Sequence, residues 1–217
     1  MKCDAELKQD VEYELKWEPS VNEAHIGVTA KSGVVTLSGH VPSLSEKTAA
    51  EKATKRVYGV KAVANEIDVH LPVSAKRTDE DIAQACLMAL NANHQIPRGS
   101  IKPIVSSGWV TLEGKAGWYY QRTTAVDTVV HLTGVVGVTS QISVSGGVSP
   151  NDIQGKIKSA FHRSADIDSR RVNIETHDGK VILSGNVRSW SEREAAEHAA
   201  WAAPGVSEIE NKITVTP

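Results

Sequence analysis

The sequence is poor in several things. Its 217 residues include two cysteines, Cys3 and Cys86, too few for a disulfide-stapled scaffold. Phenylalanine occurs once, and aromatic residues make up 5% of the chain. An excess of one charge is missing as well, since 24 basic against 26 acidic side chains leave a net charge of −2. Nothing in that balance would release counterions from a phosphate backbone, so no nucleic-acid partner is expected. The longest uncharged apolar run, around Leu132 to Val138, falls far short of the roughly 20 residues that cross a bilayer. The first residues, Met1 to Leu7, turn acidic and polar without the apolar run of roughly 7 to 15 residues that a secretory leader needs. A cytoplasmic chain is expected, or a periplasmic one if a leader has been removed.

What the sequence does contain is repetition. Ser32 to Gly39 reads SGVVTLSG, Ser107 to Gly114 reads SGWVTLEG, and Asp178 to Gly185 reads DGKVILSG. The offsets are 75 and 71 residues. They also carry Gly59-Val60 onto Gly134-Val135 and Gly205-Val206, and Leu7, Val11 and Leu15 onto Ile82, Cys86 and Leu90, then Ile153, Ile157 and Phe161. Repeats in phase at this length mean tandem copies of one structural unit. Three domains are expected, at 1–70, 78–145 and 149–217.

Each copy reads alike. Apolar residues at i, i+4 and i+8 mark one face of a first helix. Thr78 before three acidic residues and Ser149 before Pro150 are helix-start signals. Ser32-Gly33, Ser107-Gly108 and Asp178-Gly179 suit a two-residue hairpin turn at positive φ. Val35, Leu37 and Val41, with their equivalents, alternate inward on the strand that follows. Gly39, Gly114 and Gly185 interrupt that strand, which indicates a bulge or a helix lying close above. A second helix is expected to run to Gly59, Gly134 or Gly205 as a left-handed stop, followed by a last strand. The fold class is α+β: three tandem αββαβ units, each a small three-stranded mixed sheet with two helices on one face. Units this small are marginal alone, so contact between them is expected.

The unit order, the Gly-x-Val-x-Leu-x-Gly strand, the alanines 49, 50 and 53 of the second helix and the Gly-Val…Asn-x-Ile ending at 59–67 resemble the BON domain, named for bacterial osmotically inducible and nodulation proteins. The resemblance spans all three units. It implies a non-catalytic module of stress response that docks on phospholipid surfaces or partner proteins, and, from one cytoplasmic relative, a further reading in which the chain senses potassium. Copy two departs from the pattern at Ser140, where Asn65 and Asn211 stand in the others.

Chemistry is sparse. None of the eight histidines recurs at the repeat offsets, and no metal-binding spacing, nucleophile elbow or phosphate loop is present. No catalytic residue, metal ligand or cofactor is assigned. Cys86 stands where Val11 and Ile157 stand and reads as a buried small hydrophobe.

The copies themselves differ at one place. The second helix starts with Ser43 and Glu46 in copy one and with Ser189 and Glu192 in copy three, both capping boxes. Copy two reads Trp118-Tyr119-Tyr120-Gln121, with tryptophan in place of the capping serine. Leu44 and Trp190 occupy the place of Tyr119, so an apolar group stands there in every copy. One reading is a staple onto the first strand or a neighbouring unit. The other is a contact surface for an anionic phospholipid or a protein, with Trp118, Tyr119, Tyr120 and Trp190 as anchors and Arg122 as the ionic supplement. A structural or self-assembling protein, with these aromatics between units or chains, is the competing reading, and a homo-oligomer is compatible with it. Trp109 is expected on the open face of its sheet, where units would pack face to face.

Overall fold

The computed structural model describes residues 3–145, 153–164, 167–168, 170–177 and 179–216. The first unit runs α1 (Asp4–Trp17), β1 (Ile26–Lys31), β2 (Val34–Val41), α2 (Leu44–Arg56) and β3 (Ala62–Val69). The second repeats this as α3 (Asp79–Ala92), β4 (Ile101–Ser106), β5 (Trp109–Ala116), α4 (Tyr119–Val130) and β6 (Gly137–Val144). The third comprises α5 (Ile153–Arg163), β7 (Val172–His177), β8 (Lys180–Val187), α6 (Trp190–Trp201) and β9 (Glu208–Val215). In each sheet the middle strand pairs antiparallel with the one before it and parallel with the one after, so the second helix is the crossover. The architecture is the α+β triplicate expected from the sequence.

Periodicity explains the cores. Leu7, Val11 and Leu15 are buried on α1, as are Ile82, Cys86 and Leu90 on α3 and Ile153, Ile157 and Phe161 on α5. These helices cover Val35, Leu37 and Val41 of β2 and the equivalent residues of β5 and β8, all buried. Each unit closes its own core, and the opposite sheet face stays wet. There Val34, Ile104 and Trp109 remain between 42% and 51% exposed, so the units do not join through their open sheets as expected. Trp109 lies instead across Gly137, its parallel-strand partner, where any side chain would collide with the indole, and donates from Nε1 to Thr139 Oγ1 at 2.9 Å.

Turns and caps divide into those read from sequence and those corrected. Ser32 and Gly33, like Ser107 and Gly108, have positive φ at both turn positions, the conformation of a hairpin that matches strand twist. Asp178 and the Ser149–Pro150 start of α5 lie outside the described residues. Ser43, Thr78 and Ser189 accept from the third backbone N–H of their helices at 3.2 Å each. At Gly39, Gly114 and Gly185 the strand register runs on with no inserted residue, so the expected bulge is absent, and what lies close is backbone, not a helix. The carbonyls of His25, Ser100 and Arg171 occupy the space a Cβ would take, and Ser100 and Arg171 accept from Lys115 and Asn186 N–H at 3.2 Å. The second helices stop earlier than expected, at Arg56, Val130 and Trp201, and the following glycines close a separate turn that buries Val60, Val135 and Val206. Asn65 and Asn211 likewise sit inside β3 and β9 and not in a turn, where each donates to a carboxylate of the preceding helix, Glu51 at 3.1 Å and Glu197 at 2.7 Å.

Cys86 is fully buried among apolar side chains, and loss of hydration pushes its thiol up to about 11. Cys3 is exposed. Iodoacetamide at pH 8 is therefore expected to alkylate Cys3 and spare Cys86 until the protein is denatured, as peptide mass mapping would show. Because the unfolded thiol ionises near 8.5 and the folded one does not, this group draws the equilibrium toward unfolding as pH rises above about 8.5.

Candidate functional site

The first residues of the three second helices, Leu44, Tyr119 and Trp190, define the candidate site, and each turns toward another unit. Leu44 is buried in the core of the second unit, and its neighbour Ser45 donates to the Val130 carbonyl at 3.2 Å. Tyr119 stacks on Trp201 of the third unit with ring centroids 4.2 Å apart and an interplanar angle of 3°. Trp190 packs on the core of the first unit, with Lys55 Nζ 5.5 Å from its ring centroid. Lys55, Val130 and Trp201 are themselves equivalent under the repeat. Each helix start therefore meets the end of the second helix in another unit, one to two, two to three and three to one. The contacts close into a ring.

The chemistry changes around that ring. Unit one meets unit two by aliphatic packing, and Val69 at the end of β3 adds to it. Unit two meets unit three through aromatic rings, with Val144 built into the third core. Unit three meets unit one by a cation over an indole, supported by Lys55 and Glu194 at 3.9 Å. Arg193 stands on the same indole at 4.9 Å. Burial raises the Tyr119 hydroxyl above its ordinary value, helped by the charge of Glu197.

These positions divide the five residues singled out from the sequence. Tyr119 and Trp190 face neighbouring units and not open solvent, because the ring buries the first residue of each second helix. Arg122 is half-buried, stands 5.9 Å from the Tyr119 ring and turns toward the centre of the ring, away from the surface it was expected to serve. Trp118 and Tyr120 remain exposed, at 45% and 49%. Trp118 is the N-cap of α4 and offers it no acceptor; Gln121 N–H bonds the Trp118 carbonyl at 3.1 Å instead. The Gln121 side chain accepts from both Gly117 and Trp118 N–H, so half of a capping box survives.

Two groupings escaped the sequence. Tyr13, Trp17 and Tyr58 cluster on the first unit, 62%, 84% and 53% exposed. The i, i+4 spacing of Tyr13 and Trp17 was a legible signal, whereas Tyr58 joins only through the packing of α2. His25, His40 and His70 stack in a row, with centroids 4.9 and 5.3 Å apart. Strand register brings them together, and no linear spacing announces it. Among the described residues no group of three or more histidine, cysteine or carboxylate side chains is arranged to hold a metal ion, and no helix is long and apolar enough to cross a membrane.

Three αββαβ units, each with its own core and joined by equivalent helix ends, define a tandem-repeat α+β protein. The BON domain profile matches residues 4–70, 78–146 and 149–217, and the chain belongs to that family. It is 24% identical over 204 residues to the osmotically-inducible protein Y of Escherichia coli (strain K12), covering 89% of this chain and 95% of that protein. It is 31% identical over 115 residues to the 21 kDa hemolysin of Actinobacillus pleuropneumoniae, covering 52% of this chain and 59% of that one. CdsD, a structural protein of the type III secretion system of Chlamydia trachomatis, aligns over 98% of this chain and 93% of its own at 15% identity. The TM-score is 0.27, too low to support an inference.

Proposed function

We propose that this chain is a non-catalytic binding module of osmotic stress response that docks on anionic phospholipid surfaces through the loop at the start of α4. The observation that carries this reading is the exposure of Trp118 and Tyr120 where the other copies have serines. Copy two has exchanged the side-chain cap of a helix, worth about 1 kcal/mol, for two large aromatics in solvent. Structural roles do not call for that exchange, and local rules broken without compensation mark functional sites. Tryptophan and tyrosine suit the headgroup region because each has an apolar body and a polar tip. Exposed Lys115 lies on the strand leading into the loop and supplies charge for an anionic headgroup. The relationship to an osmotically inducible protein supports the stress setting.

In co-sedimentation, wild-type protein should pellet with phosphatidylglycerol vesicles and not with purely zwitterionic ones. The double variant Trp118→Ala/Tyr120→Ala should pellet about tenfold less while keeping its circular dichroism. Equal pelleting of variant and wild type would remove these residues from the proposal.

A second reading, docking on a protein, is favoured by the Tyr13, Trp17 and Tyr58 patch. Asp10 and Glu14 border it, and Arg56 beside it is already bonded by Glu14 at 3.0 Å and Glu18 at 2.8 Å. An acidic rim of this kind suits a basic protein surface better than an anionic bilayer.

A further inference from the structure

The second helices of the three units converge on a cavity of about 790 Å³, within the range of small-molecule sites. Its walls combine the rings of Tyr119 and Trp190 with the side chains of Lys52, Lys55, Arg122 and Arg193. We propose that this cavity binds a small organic anion with a flat apolar body.

Comparison of the copies carries the argument. Lys47, Arg122 and Arg193 are equivalent. Lys47 Nζ donates to the Ile67 carbonyl at 2.6 Å, and Arg193 Nε to the Ile213 carbonyl at 3.1 Å, so both tie the second helix to the last strand. Arg122 makes no such bond; among the described residues its guanidinium has neither a carbonyl nor a carboxylate partner. The pair that would normally flank it is gone too. Glu51 with Asn65, and Glu197 with Asn211, are replaced in copy two by Val126 and Ser140, both on the cavity wall. Ser140 Oγ is buried with no partner, and so is the Trp190 indole N–H. Copy two has thus lost a structural network that copies one and three keep, and the loss leaves to one cavity an uncommitted arginine and a strip of apolar wall.

Electrostatics sets the sign of the ligand. Of the carboxylates on the wall, Glu194 is near Lys55 and Glu197 is held by Asn211. Over the whole wall Lys52, Lys55, Arg122 and Arg193 stand against Asp127, Glu194 and Glu197, a net balance of one positive charge. A planar guanidinium favours carboxylate, sulfonate or phosphate oxygens in a fork. The two aromatic rings and Val126 suit a flat apolar body attached to that group.

Anilinonaphthalene sulfonate is a suitable probe. Wild-type protein should bind it saturably at one site per chain, with energy transfer from tryptophan. Arg122→Gln should weaken binding about tenfold, the loss expected for a charge-assisted hydrogen bond. Val126→Glu/Ser140→Asn restores the pair of the other copies, so it should fold at least as stably as wild type and yet bind about tenfold more weakly. The uncharged parent anilinonaphthalene should bind at least tenfold more weakly than the sulfonate. Trp118→Ala/Tyr120→Ala should bind the dye normally while losing vesicles, and the restored-pair variant should do the reverse, so the cavity and the docking loop fail or succeed independently. Absence of saturable binding, equal affinity for the charged and uncharged dyes, unchanged affinity in both cavity variants, or loss of dye with Trp118 and Tyr120 would each overturn the proposal.

Discussion

Gly114→Ala is expected to cost about 3 kcal/mol and to unfold the second unit before the others. At φ +145° an L side chain is already strained, and the new Cβ would fall on the Ser100 carbonyl oxygen. Backbone cannot step aside as a flexible side chain would. Relief requires β4 to leave β5, which breaks the Lys115 N–H bond to Ser100 and uncovers Ile101 of the core. Gly99→Ala is the matched control. It also has positive φ, at +71°, but no atom stands within 4 Å of its Cβ, so its cost should stay near 1 kcal/mol. Urea denaturation compares the two totals, and amide hydrogen exchange shows whether protection in Gly114→Ala is lost first from β4, β5 and β6. Equal midpoints for the two variants would show that the backbone at Gly114 has room to relax.

Trp201→Ala should be comparably severe, at about 3–5 kcal/mol, because it removes the ring that fills the third core and receives Tyr119. Tyr119→Ala removes only a half-buried side chain and should cost less. A double-mutant cycle on the pair should return a coupling of about 1 kcal/mol, the value for a stacked aromatic pair beyond area burial. Loss of this contact also opens the ring. Small-angle scattering should then show a larger radius of gyration for Tyr119→Ala than for wild type, although each unit keeps its own core. A coupling near zero with unchanged dimensions would mean that the linkers and the other two junctions hold the ring without the stack.

Some of the outcome was legible because it is local. A first-helix face such as Leu7, Val11 and Leu15 follows from the helical period, and Ser32-Gly33 announces its turn through the φ angles it tolerates. The same local logic located the start of the second helix as the place where copies diverge. It did not say which side of that start faces outward. Tyr119 and Trp118 are adjacent in sequence and similar in chemistry, yet one stacks on Trp201 and the other stands in solvent, since Trp118 is the extended N-cap and Tyr119 the first helical residue, so their side chains diverge and the docked unit covers one of them. Arg122 stands beside the aromatic loop in sequence and so reads as its ionic supplement, and nothing local shows that its equivalents have carbonyl partners. Those partners lie on the last strand, some 20 residues onward.

The amino-acid order by itself determined the unit, its copy number, the inward faces and the hairpin turns, because periodicity, glycine φ and helix caps act within a few residues. Tertiary structure alone decided that the units meet through the ends of their second helices, that three scattered histidines form a row, and that Arg122, Val126 and Ser140 share one central cavity. Each of these depends on residues far apart in the chain being brought together by packing, and packing between units is set by the shapes of finished surfaces, which no short-range pattern encodes.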